Sequence, residues 1–187
     1  MNEEIKTLNA QIRESFGRVA YSHKTHEKCA DIYLSRLTWM KNIQIALAAL
    51  TAGTVLSDIF GLFGLGVWAK LISAVSSIVL LALNTYNKNI DLGELAQKHR
   101  NTALKLWSIR EKYISLLADI KAESLDVLAI QSRRDQLQQD LEVIYASAPP
   151  TFKKAYEQAR KALQISEELT FNAGEIDQLL PESLRGV

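Results

Sequence analysis

The stretch from Trp39 to Lys88 limits the fold more than any other part of the chain. Ile43 to Phe63 is apolar apart from Gln44, a few small hydroxyls and Asp58. Val67 to Tyr86 is apolar apart from Ser73, Ser76, Ser77, Asn84, Thr85 and Lys70. Between them, Gly61-Leu62-Phe63-Gly64-Leu65-Gly66 is too rich in glycine for a helix interior. Each half is about 20 residues, or roughly 30 Å as a helix, which is the hydrocarbon thickness of a bilayer. The pattern predicts a two-helix transmembrane hairpin with soluble helices at both ends.

A buried central hairpin in a soluble all-α protein is the competing reading, because Asp58 and Lys70 interrupt the two runs. Three features favour the membrane. Trp39 stands at one edge, and Trp68 and Tyr86 stand at the two ends of the second half, where interfacial aromatics belong. Arg36 and Lys41 precede the hairpin and Lys88, Lys98 and Arg100 follow it, whereas the turn has no base beyond Lys70. The positive-inside rule then places both termini in the cytoplasm. Asp58 and Lys70 are equally far in sequence from Gly64. In an antiparallel hairpin they lie at similar depth, about 9 Å from the tip, as a transmembrane charge pair able to bond or snorkel.

Composition narrows the class further. A formal net charge of +1 gives no global field for nucleic acid. The single cysteine, Cys29, excludes a disulfide framework and suits a reducing compartment. The Met-Asn-Glu-Glu start has neither a basic n-region nor an apolar h-region, so no signal peptide is expected. Three prolines and no alternating pattern predict an almost wholly helical chain. Four segments are expected: cytosolic helices over 1–40, the hairpin over 41–88, a long heptad extension over 89–148, and a C-terminal helix and tail over 149–187.

Asn2 is a candidate N-cap, and Ile5, Leu8, Ile12, Phe16 and Val19 form an amphipathic stripe. No breaker separates it from the first membrane half, so one helix is expected to continue into the bilayer. Within the hairpin, Gln44, Thr51 and Asp58 recur every seven residues, and Ser73, Ser77, Leu80 and Asn84 share a face. These seven are the pore-lining candidates. The alternative is that the hydroxyls bond back to their own helix or across to its partner. Ala48-Ala52 and Ala49-Gly53 are small pairs that allow close helix approach. After Asn89, the residues Leu92, Leu95, His99, Thr102, Leu106, Ile109, Tyr113, Leu116 and Ile120 alternate spacings of three and four. This heptad seam is the candidate oligomer contact. Leu125, Leu128, Leu137, Leu141 and Ile144 carry an apolar face on until Pro149-Pro150 ends the helix. Thr151 is the expected cap of a last helix.

Catalytic chemistry is missing. There is no GxxxxGK[ST], GxSxG, HExxH or CxxC, so the chain does not read as an enzyme. His23, His26 and Cys29 share a face but lack a fourth ligand, so no metal or cofactor is expected. Arg13, Arg18, Lys24 and Lys28 interleave with Phe16 and Tyr21, and these six are the signal-binding candidates, since aromatics stack on bases while cations hold phosphates. Glu14 and Glu27 dilute the strip, which favours an ordinary solvated face beside an anionic leaflet.

Ile90-Asp91-Leu92-Gly93-Glu94-Leu95-Ala96-Gln97-Lys98-His99-Arg100 resembles the SLATT family, bacterial proteins built on such a hairpin. So do Leu106-Trp107-Ser108-Ile109-Arg110-Glu111-Lys112-Tyr113, Leu116-Leu117-Ala118-Asp119-Ile120 and Tyr33-Leu34-Ser35-Arg36. The likeness covers Arg18 to Ile144. It implies an effector of anti-phage defence that works beside enzymes making or sensing nucleotide signals. Such an effector would permeabilise the inner membrane and arrest or kill the host, an abortive infection. Two helices cannot enclose a path, so a pore requires a homo-oligomer, gated by a nucleotide or nucleic-acid oligomer made by a partner nucleotidyltransferase. The alternative is a membrane-anchored scaffold that recruits a cytosolic partner without conducting ions. A third reading, a soluble toxin with a concealed hairpin, would appear in the soluble fraction before insertion.

Overall fold

The computed structural model describes residues 3–60, 66–172 and 174–185, and it is all-α among them. The helices are α1 (Glu3–Phe60), α2 (Gly66–Asn89), α3 (Leu92–Lys121), α4 (Val127–Ser147), α5 (Lys153–Gln164) and α6 (Glu175–Leu179), followed by one 3₁₀ turn, Glu182–Leu184. The expected passage from the first stripe into the first membrane half is realised, for α1 is one helix of 58 residues. The turn residues 61–65 and the side chain of Asp58 lie outside the described residues. Packing divides the chain into two compact units, Met1–Cys29 with Arg100–Val187, and Ala30–His99.

The first unit is a helical bundle. Leu8, Ile12 and Val19 of α1 meet Leu106, Ile109, Tyr113, Leu116 and Ile120 of α3, and Ile130, Leu137 and Ile144 of α4. All three stripes recur at helical spacing, so each helix turns one apolar face inward. Burying one such aliphatic side chain is worth about 1.5–3 kcal/mol, which makes this core the main source of the unit's stability. Polar pairs set its register. Gln131 donates to Glu4 at 3.4 Å, Arg134 to Gln11 at 3.1 Å and Tyr145 to Ser22 at 3.1 Å, so α4 runs parallel to α1. Lys112–Asp140 at 3.0 Å and Arg133–Asp119 at 2.6 Å hold α3 antiparallel to α4. Helix α5 packs through Ala155, Ala159 and Ala162, all buried and small enough for close approach.

The second unit contains the remainder of α1, all of α2 and the start of α3. Asp91 opens α3 by accepting from the Glu94 backbone N–H at 2.8 Å. His99 is buried and stacks on Tyr33 with ring centroids 5.6 Å apart.

Between α3 and α4 the chain turns where the sequence showed only a continuing apolar face. The Glu123 and Ser124 backbone N–H groups donate to the carbonyls of Ile120 and Asp119, both at 3.2 Å, which closes the helix end as a Schellman motif. The motif puts Glu123 at φ 55, in the left-handed region. Asp126 then caps α4, accepting from the Ala129 N–H at 2.7 Å. A side chain at this φ costs about 1–2 kcal/mol, partly offset by the greater entropy that glycine loses on folding. Glu123→Gly is expected to raise stability by about 0.5–1 kcal/mol in detergent melts of the full chain. A lower melting temperature would show that the Glu123 side chain contributes more than its backbone strain removes.

Candidate functional site

The hairpin is built inside out. On α1, Thr54 and Ser57 are buried and Gln44, Leu47 and Thr51 half-buried; on α2, Ala69 and Ser76 are buried and Ser73, Leu80, Leu83 and Asn87 half-buried. These residues recur at spacings of three and four, so they form one contact line along each helix. Gln44 Nε2 donates to Asn84 Oδ1 at 2.9 Å and ties the two helices together. The hydroxyls of Thr51 and Thr54 donate to the Leu47 and Leu50 carbonyls, and Ser77 to that of Ser73, which satisfies them within their own helices. Outward the surface is apolar: Ile45, Ile59, Ile78 and Leu81 are each about two-thirds exposed and Val67 is 80% exposed. Trp39, Trp68 and Tyr86 are exposed as well.

The pore-lining candidates therefore divide. Gln44, Thr51, Ser73 and Leu80 belong to the contact line between the two helices of one chain; Asn84 is exposed yet reaches that line through Gln44, and Ser77 stands exposed on α2. Asp58 is also a pore candidate and the assigned partner of Lys70, and its side chain lies outside the described residues. Lys70 itself is exposed. Reading seven-residue spacing alone missed Thr54, Ser57, Ser76 and Asn87. Adding the three-and-four alternation from Gln44 and Ser73 reaches Thr51, Thr54, Ser76 and Asn87.

The heptad seam packs largely within the chain. Leu106, Ile109, Tyr113, Leu116 and Ile120 lie in the bundle's own core, and Leu92, His99 and Thr102 are buried in the chain too, with Leu95 half-buried. An apolar period names a contact face but not the partner, and here α1 and α4 supply it. Burial also lowers the His99 pKa, so its ring stays neutral at neutral pH.

The six signal-binding candidates do not converge. Arg18 pairs with Glu14. Arg13 and Phe16 border one cleft, and Phe16 carries the Arg110 guanidinium 6.0 Å above its ring. Tyr21 faces Tyr156 and accepts from Gln164 at 2.8 Å. Lys24 and Lys28 are spent inside the bundle. Lys24 Nζ lies 2.8 Å from Glu27 and 2.7 Å from Glu168, and Lys28 Nζ lies 3.2 Å from Glu168. Burial works against the Lys24 ammonium, but the hydrogen bonds to Glu168 and Glu27 outweigh it and raise its pKa. Glu168 came from the tail, too far along the chain for any local pattern to pair it with these lysines.

His23, His26 and Cys29 are likewise occupied or enclosed. His23 Nδ1–H donates to the Ala103 carbonyl at 2.9 Å. Cys29 is buried, which raises its thiol pKa. Among the described residues no three His, Cys, Asp or Glu side chains converge to hold a metal ion.

Membrane residence follows from the outer surface. The stretch Gly66–Lys121 contains a window of mean hydropathy 1.9 of which only 11% is buried, unlike the mostly buried core helix of a soluble protein. The profile of the SMODS and SLOG-associating 2TM effector domain family 4, SLATT_4, matches residues 8–175. The chain belongs to that family. No curated protein and no solved structure matches it. The SLATT_4 match takes in the bundle, the hairpin and α5, so the all-α membrane architecture and the effector role belong to the same stretch of chain.

The ion cluster yields a pH test. The Lys24 hydrogen bond, opposed by burial and aided by Lys28, holds Glu168 below the usual carboxylate range. A depressed carboxylate stabilises the fold above its unfolded pKa of about 4.5 and loses that contribution as pH falls. Glu168→Gln is expected to cost about 1 kcal/mol at neutral pH, a low figure because Glu168 is 36% exposed. The variant should also lose less stability than the parent chain in melts taken below pH 4.5. Parallel pH profiles for the two proteins would contradict this assignment.

Proposed function

We propose that this SLATT_4 chain is a pore-forming effector of a bacterial anti-phage defence system. It resides in the inner membrane with both termini cytoplasmic, and it assembles as a homo-oligomer. A nucleotide or oligonucleotide signal from a partner nucleotidyltransferase gates it, and opening permeabilises the membrane and arrests or kills the cell. Conduction requires no enzymatic step of the chain itself.

The observation that carries this reading is the exposed polar strip on an otherwise apolar span. Ser77 and Asn84 are both exposed on α2, where lipid would meet them, although Asn84 also accepts from Gln44 of α1. Polar side chains in a span face a protein neighbour or water, so their exposure in one chain calls for further copies around them. Helix α1 offers the surface for such packing: Ala48, Ala49, Ala52 and Gly53 are exposed, and a Cβ added at Gly53 would meet nothing within 4 Å. With the heptad seam used inside the bundle, this small-residue face is the favoured contact between subunits.

The test combines assembly and leakage. Full-length protein in liposomes is expected to cross-link into oligomers and to release an entrapped small dye when co-expressed signal enzyme or its product is supplied. Gly53→Leu leaves the hairpin's own packing intact and is expected to abolish both. Leakage that persists in a monomeric Gly53→Leu protein would overturn the homo-oligomeric pore. Oligomers that form without any leakage would favour the non-conducting scaffold.

A further inference from the structure

Three tyrosines from three helices converge on a cavity of about 340 Å³ in the bundle: Tyr21 of α1, Tyr145 of α4 and Tyr156 of α5. His26, Ser22 and Thr25 supply further wall, and the elbow at Pro149 closes the end where α4 hands over to α5. Among the described residues no Lys, Arg, Asp or Glu lines it. We infer that this cavity is a binding site for the base of a nucleoside or nucleotide.

Folding alone does not account for the tyrosines. Tyr113, which belongs to the core, is fully buried, whereas Tyr145 is 43% and Tyr156 49% exposed, so both keep ring surface in water. Tyr21 and Tyr156 stand with centroids 6.1 Å apart and planes tilted by 31°, and both line the cavity. Hydroxyls border the rings. Tyr145 Oη donates to Ser22 Oγ at 3.1 Å, which leaves the Ser22 proton and the Tyr145 lone pairs for a ligand. A wall of rings and hydroxyls without formal charge suits a flat, neutral group whose edge both donates and accepts, which describes a nucleobase. A sugar would be gripped better by the bidentate carboxylate, amide or guanidinium groups that this wall lacks.

Two other clefts fit this ligand less well. The cavity of about 820 Å³ beside Trp107 is lined by one cation, Arg110, against four acids, Glu111, Glu167, Glu168 and Glu175, a balance that disfavours phosphate. The cleft of about 560 Å³ at Arg13 has cations but a floor of Leu117, Ala118 and Ile120 and a single ring, Phe16, on which Arg110 already stacks. The tyrosine cavity is at the small end of the ligand-pocket range, with space for a base and sugar, so phosphates would extend into solvent.

The inference builds on the signal-gated reading, but its test needs no conductance, so each can fail alone. Isothermal titration and saturation-transfer NMR on the full chain in detergent would use adenosine, guanosine, cytidine, uridine, glucose and inorganic phosphate. Nucleosides are expected to bind, purines more tightly through their larger π-face, while glucose and phosphate do not. Tyr156→Ala is expected to weaken binding about tenfold or more and Tyr156→Phe to preserve it. Circular dichroism identical to the parent chain would exclude loss of fold in either variant. Absence of nucleoside binding at millimolar concentration, binding unchanged in Tyr156→Ala, or binding of glucose in place of nucleosides would overturn the site.

Discussion

One helix of this protein must serve two solvents. Over its first part α1 hides Leu8, Ile12 and Val19 and shows charge outward, as water requires. Beyond Met40 the rule inverts: Thr54 and Ser57 are hidden while Ile45, Leu56 and Ile59 are shown, as lipid requires. The backbone has no such freedom, because an N–H or C=O in hydrocarbon must bond within the chain. Keeping α1 helical through all 58 residues meets that demand in both solvents and leaves only the side chains to change. The hairpin contact follows from it, since α2 carries the same inversion with Ala69 and Ser76 inside.

Because most of the apolar surface of the hairpin faces out, its inner contact carries small and polar groups beside a few leucines. That contact consists of short side chains, half-buried Leu47, Leu80 and Leu83, the backbone-bonded hydroxyls of Thr51 and Thr54 and the Gln44–Asn84 pair, and it gains little from the hydrophobic effect in lipid. The bundle relies on the opposite chemistry, a dense aliphatic core with polar pairs in register at its rim. The SLATT_4 match thus spans a water-facing bundle and a lipid-facing hairpin encoded in a single continuous sequence.

Much of this was legible in the sequence because period and length are local. Two apolar runs about the thickness of a bilayer, separated by glycines, marked the hairpin, and three-and-four spacing marked the bundle stripes. Partner choice was not local. The stripe from Leu92 to Ile120 has the spacing of an oligomer seam, yet from Leu106 onward α1 and α4 of the same chain pack against it. The turn at Glu123 was hidden because a glutamate takes a position where glycine would have announced a helix end, although Asp126 was a readable cap for α4. Lys24 and Lys28 looked available for a ligand because their partner, Glu168, lies across the whole intervening fold. Asp91-Leu92-Gly93-Glu94 had the form of a helix cap and could have been read as one.

The central claim is that the polar strip of α2 faces water or protein while the rest of the span faces lipid. Spin labels placed one at a time at Ser77, Ile78, Leu81 and Asn84, in a Cys29→Ala background reconstituted in bilayers, measure this directly through their relative accessibility to oxygen and to a water-soluble nickel chelate. The account predicts oxygen-dominated relaxation at Ile78 and Leu81, with chelate accessibility at Ser77 and Asn84 that rises when the signal is supplied. Oxygen-dominated relaxation at all four positions, with or without signal, would show a hairpin surrounded by lipid on every side and contradict the pore.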